Sequence, residues 1–79
     1  MTLSIDIHGM VEYDAIKTLE KFIAKAPKHT KEIIVIHGYH SGSTLKEMVR
    51  NPNKLRSKRI KRRKYTLNQG ETILELYES

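Results

Sequence analysis

The sequence predicts an α/β two-layer sandwich of order β-α-β-α-β-β, in which a four-stranded mixed sheet carries both helices on one face. Three observations predict it. An alternating segment and a β-branched run flank a stretch with helical period. A second, shorter helical segment follows a loop of small residues. The final third holds two strand-like segments around turn residues. The chain has 79 residues, below the usual ~100–200 per domain, so residues 1–79 are read as one domain with a modest core.

Leu3, Ile5 and Ile7 alternate with Ser4, Asp6 and His8, which is strand period, and Gly9 ends that strand. Over residues 12–26, Ala15, Ile16, Leu19, Phe22, Ile23 and Ala26 trace one face of a helix. Glu12 and Asp14 suit the positive end of its dipole, and Pro27 closes it. The run Ile33, Ile34, Val35, Ile36 reads as a strand buried on both faces, the mark of a central or parallel strand. Gly38, Tyr39, His40, Ser41, Gly42 and Ser43 form a loop. Thr44, with Glu47 three residues on, matches a capping box and opens a helix running to about Asn51, which Pro52 stops. Segments 59–65 and 71–77 are two further strands, joined as a hairpin through Asn68, Gln69 and Gly70.

Lys plus Arg is 15 against 9 for Asp plus Glu, a net charge of +6. Apolar residues make up 38%, enough for a core and too many for a disordered basic tail. There is no cysteine, which excludes a disulfide scaffold, a thiolate metal site and a cysteine nucleophile. The longest apolar run, 33–36, is far short of the roughly 20 residues of a transmembrane helix. Asp6 and His8 interrupt any signal-peptide layout. The expectation is a soluble, cytoplasmic protein without membrane contact. The charge is concentrated. Residues 54–64 hold Lys54, Arg56, Lys58, Arg59, Lys61, Arg62, Arg63 and Lys64, 8 of the 15 basic residues and no acidic one. The remainder has 7 basic against 9 acidic residues. A near-neutral body with a basic stripe is the footprint of a phosphate-backbone binder. The same stripe would also protect an edge strand from aggregation. Arg59, Lys61 and Arg63 alternate, so they are expected to share one face of the strand, and their joint replacement is expected to leave the fold intact.

Two strands joined by a helix should run parallel, which brings Asp6, His8 and Gly9 to the same sheet edge as His37 and Gly38. Ligands of α/β folds bind at the carboxyl ends of strands. Two histidines and a carboxylate there are candidates for acid–base chemistry or, less readily, for holding a metal. Each also has a plain reading, Asp6 as a loop anchor and His8 and His37 as hydrogen-bonded structural residues. Gly38, Ser41, Gly42 and Ser43 lead to a helix N-terminus, a place suited to phosphate. Lys46 lies in the first turn beyond it. Tyr39 is placed either to stack on an unpaired base or to pack against the first helix. His29 and His40 are read as surface residues.

Asp6-Ile7-His8-Gly9 followed by His37-Gly38 and Gly42 resembles the small-MutS-related (Smr) domain, whose members carry Leu-Asp-x-His on the first strand and His-Gly-x-Gly or Thr-Gly-x-Gly after the second. The resemblance covers roughly residues 3–77. Asp6 and His8 match the first motif, with Ile5 in the Leu position, and His37 and Gly38 match the start of the second. It implies the fold of the C-terminal domain of translation initiation factor three, with sheet order 1-2-4-3 and the last strand antiparallel to the others. It further implies nucleic-acid binding and, in several members, endonuclease activity on DNA or RNA. Tyr39 stands where the family often has Lys, and His40 where it has a second Gly. Losing a cation and a glycine favours binding over cleavage. The sequence therefore supports a nucleic-acid-binding module first. An endonuclease using Asp6, His8 and His37 comes second, with Mg2+ or Mn2+ only in that case. A third reading is an interaction domain meeting an acidic partner such as a ribosomal surface or a repair protein.

Overall fold

The computed structural model describes residues 1–39 and 42–78. Two strands come first in the sheet, β1 (Thr2–Asp6) and β2 (Glu32–Ile36), joined by helix α1 (Glu12–Lys25). Helix α2 (Thr44–Arg50) follows, and then the hairpin of β3 (Ile60–Tyr65) and β4 (Glu71–Leu76). The sheet order is β1-β2-β4-β3. β1 runs parallel to β2, with Asp6 opposite Ile36. β4 is antiparallel to both of its neighbours. The fold class, the order and the antiparallel last strand agree with the sequence reading.

The helical period of α1 buries Ala15, Leu19 and Ile23, one residue per turn. They pack on the inward residues of the central strands, Ile33 and Val35 of β2 and Leu74 and Leu76 of β4. Met48 and Val49 of α2, with Ile7 and Leu55 from the connecting loops, complete that layer. A fully buried Leu, Ile or Val contributes roughly 1.5–3 kcal/mol relative to exposure. Nine such side chains among the described residues are what a chain this small uses to offset its ordering entropy.

Three readings need correction. β2 is central but buried on one face only. Ile33 and Val35 are buried, whereas Ile34 is half-buried and Ile36 is 36% exposed. The helices cover a single face, and the other is shielded by long charged side chains, Arg62 and Lys64 reaching across it to Glu75 and Glu32. Secondly, the cap of α2 is Ser43 and not Thr44. The Ser43 hydroxyl donates to the Glu47 carboxylate, and neither side chain binds a free backbone amide. Thirdly, β3 does not alternate regularly, because its pairing with β4 shifts between Ile60 and Arg62. The bulge takes Lys61 off the face that Arg59 and Arg63 share, and that face is the inward one.

Candidate nucleic-acid interface

The parallel β1–β2 pair sets the first part of the site. Beyond Asp6 and Ile36 both strands end together, and the Ile7 amide still donates to Ile36 O at 2.9 Å. Gly9 and Gly38 turn the chain away at φ of 79° and 75°, where a side chain would be strained. A Cβ on Gly38 would stand 3.4 Å from the His8 Cβ. His8 and His37 are thus at one end of the sheet, as the topology argument requires. A cleft of about 400 Å³ opens there between the starts of α1 and α2, lined by Gly9, Glu12, His37, Gly42 and Thr44 among others.

The two histidines have different environments. His8 is on the surface. The Asp6 Oδ1 accepts from the His8 backbone amide at 3.0 Å and from its Nδ1 at 2.6 Å. The backbone bond, then the ring bond, hold the Asp6 carboxyl below the usual carboxylate range. An imidazole fixed this way presents its Nε2 outward, the arrangement by which a carboxylate orients a general base. His37 is only 2% exposed. Its Nδ1–H donates to Gly38 O at 2.9 Å, and its Nε2 accepts from the Thr72 hydroxyl at 2.9 Å. Thr72 in turn accepts from Arg50 Nε at 2.9 Å. Burial first, then the charges of Arg50 and Lys46, push the His37 pKa down against the favourable bond to Gly38. With both ring nitrogens engaged, His37 forms part of the cleft wall and braces the loop, with no ring nitrogen left for a ligand.

The loop beyond His37 offers less to a phosphate than its glycines suggested. The Gly38 amide is already committed to Gly70 O at 3.0 Å. Tyr39 is 53% exposed and sits beside the β3–β4 turn, its ring carbon 3.3 Å from where a Gly70 Cβ would be. Gly42 is exposed at the mouth of the cleft, and Lys46 is half-buried. Ser41 and His40 lie outside the described residues.

The basic stripe divides into three sets. Arg59 and Arg63 turn inward. Arg59 donates to Ile23 O and Ala26 O at 2.7 Å each and to Pro27 O at 3.1 Å, closing the C-terminus of α1. Arg63 donates to Val49 O at 2.7 Å and Leu55 O at 2.6 Å. Desolvation there lowers the Arg63 pKa, against a small opposing influence of Tyr65. Arg62 and Lys64 form the second set, paired with Glu75 and Glu32, and the Glu32 contact raises the Lys64 pKa. The third set faces outward. Lys54 meets Glu12 at 3.4 Å, the Arg56 side chain bonds Asn53 O through its Nε while its backbone amide donates to Glu20, and the Lys58 and Lys61 side chains have no partner among the described residues. Arg56 and Lys58 border a shallow concavity of about 470 Å³ behind Pro52 and Leu55. Sequence reasoning missed Arg50, Thr72 and Gly70. Thr72 could have been found, because it interrupts the inward apolar positions that Leu74 and Leu76 continue.

Among the described residues no group of three or more His, Cys, Asp or Glu side chains is placed to hold a metal ion. No helix of the described chain is long and apolar enough to cross a membrane. The family model for the Smr domain matches residues 5–72. Among solved structures, the Smr domain of Thermus thermophilus MutS2 is similar in fold, with a TM-score of 0.79 and 18% identity over 94% of this chain and 96% of that one. Comparison with curated protein sequences gave no significant match.

Proposed function

Because the chain belongs to the Smr domain family, whose members are nucleic-acid-binding, nuclease-like domains, we propose that it binds DNA or RNA through the outward cations of residues 54–61. The observation that carries the reading is the set Lys54, Arg56, Lys58 and Lys61, all exposed on one connection and edge strand with no acidic residue between them. Gly38 and its loop are a lesser part of the interface, since the Gly38 amide is already bonded. Each phosphate neutralised on duplex DNA adds about −0.9 to the slope of log K against log salt. Four contacts give a slope of roughly −3 to −4. Replacing Arg56, Lys58 and Lys61 together by Ala should flatten that slope by nearly 3 while leaving the thermal midpoint almost unchanged. The triple change of Arg59, Lys61 and Arg63 would instead remove five bonds to backbone carbonyls and cost the fold. A wild-type slope near zero in a fluorescence-anisotropy titration would overturn the reading.

A second reading, endonuclease activity, is favoured by one feature, the Asp6–His8 pair with its outward Nε2. Here His8 takes the proton of an attacking water as its oxygen bonds phosphorus, the P–O bond to the sugar breaks, the departing sugar oxygen takes a proton from His8 or solvent, and Asp6 orients the ring. His37 takes no part. Asp6 leaves one carboxylate oxygen, Oδ2, outside these bonds. That is too little for a resident divalent ion and enough for Mg2+ or Mn2+ arriving with a phosphate. Supercoiled DNA and structured RNA incubated with Mg2+, Mn2+ or EDTA test it. General acid–base help is typically worth 10²–10⁴-fold, so His8→Ala should lose cleavage on that scale with binding retained. Turnover equal to wild type would dismiss the pair.

A further inference from the structure

We infer that Tyr65 is a base-stacking platform, preassembled by Arg50, which makes the ligand of this domain an unpaired nucleotide in single-stranded or looped nucleic acid. The inference rests on the proposed nucleic-acid binding and specifies the form of the ligand. Tyr65 is the last residue of the basic edge strand and is 61% exposed. It pairs with Thr72, whose neighbour Glu71 pairs with Ile36. The ring therefore stands at the same end of the sheet as the cleft. The Arg50 guanidinium carbon lies 4.1 Å from the ring centroid. Arg50 cannot drift from that position, because its Nε is bonded to Thr72 Oγ1 and Thr72 to the buried His37. One face of the ring is thereby covered by a fixed cation, and the exposed area is left to the other face and the rim.

Two chemical properties meet at this point. The open ring face suits a flat aromatic heterocycle, and a cation beneath a ring strengthens such stacking. Arg50 makes no ion pair with any carboxylate among the described residues, and of its nitrogens only Nε is in a hydrogen bond. Its Nη groups remain to meet an anion beside the ring. A planar base and an adjoining phosphate are the parts of a nucleotide. Bases inside a duplex have both faces occupied by their neighbours, so only an unpaired base can use this platform.

The test titrates the full chain with fluorescein-labelled single-stranded DNA, single-stranded RNA, duplex DNA and an abasic single strand, all of equal length and at fixed low salt. Wild type should prefer both single strands over the duplex and over the abasic strand. Tyr65→Leu should weaken single-strand binding by about 5- to 150-fold, the range that one base–aromatic stack supplies. The abasic strand should be nearly indifferent to the change. Tyr77→Leu, an exposed tyrosine at the other end of β4, is the control and should leave affinity unaltered. The chain has no Trp and 4 Tyr, so tyrosine emission gives an independent signal. Tyr65→Phe keeps the ring and the fold, and should bind like wild type but lose most of the quenching that accompanies binding. The relative response of DNA and RNA to Tyr65→Leu identifies the source of the base. Equal binding of single strand by wild type and Tyr65→Leu, or undiminished quenching in Tyr65→Phe, overturns the platform and leaves the salt-dependent binding standing. Absence of any salt-dependent binding by wild type overturns both.

Discussion

His37 owes its neutrality first to burial and then to the nearby charges of Arg50 and Lys46, and the bonds around its ring fit the neutral form. Thr72 can donate to Nε2 only while that nitrogen lacks a proton, and Arg50, itself a donor, holds the other side of the hydroxyl. A proton on Nε2 would place a charge in a buried site beside the Arg50 cation and take away the acceptor of the Thr72 hydroxyl. The folded-state pKa therefore lies below histidine's ordinary value of about 6.5. Between the two values the unfolded chain binds more protons than the folded one. The contribution of His37 is thus fully present above about pH 6.5, and it is lost as pH falls from there through the folded pKa. Thermal midpoints measured from pH 7.5 to 5 should fall accordingly, and His37→Gln should be less stable at pH 7.5 but flatter across the range. An unchanged pH dependence in the variant would dismiss this account. The sequence placed His37 correctly at a strand end beside Asp6 and His8. It could not separate a working imidazole from a bracing one, because the deciding partner, Thr72, is 35 residues away.

Element order was legible throughout, since apolar residues recur with period 2 in β1 and β4 and one per turn in α1. For β3 the strand and its edge position were legible but the facing of its side chains was not, and the reason is physical. Arg can face solvent or fork onto carbonyls, and a run of cations has no apolar period to mark which side is inward. The bulge at Ile60–Arg62 then removes the remaining alternation. The result is a strand that fastens both helices, Arg59 on the end of α1 and Arg63 on the end of α2. Hydrogen bonds to a charged group are worth about 1.5–3 kcal/mol each. Arg59→Ala should therefore lower stability by at least about 2 kcal/mol, and it should speed amide exchange selectively in the last turn of α1. Arg59→Lys should recover little, since an ammonium cannot span three carbonyls as the planar fork does. Uniform exchange across α1 in Arg59→Ala would show that the arginine does not cap the helix. The same division explains why the sequence overstated the interface. Arg59 and Arg63 are tied to carbonyls of the helix layer, and Arg62 and Lys64 to Glu75 and Glu32.

For the molecule as a whole, β4 is the last strand in sequence and an interior strand in space. It supplies Leu74 and Leu76 to the core and, among the described residues, the only pairing between the β1–β2 pair and β3. A chain ending at residue 70 should accordingly lack a cooperative thermal transition and sharp near-ultraviolet dichroism, even though both helices and three strands remain encoded. A sigmoidal melt of that fragment would refute the placement of β4 as keystone. The interior position also fixes a schedule for synthesis. The apolar run of β2 emerges from the ribosome well before its antiparallel partner exists, and at ~5–20 residues per second the interval from Ile36 to Glu71 lasts roughly two to seven seconds. Throughout that wait one edge of β2 is unpaired. The nascent chain is then most exposed to capture by chaperones or by neighbouring polypeptides, and it is safe only once its final strand slides between the two it separates.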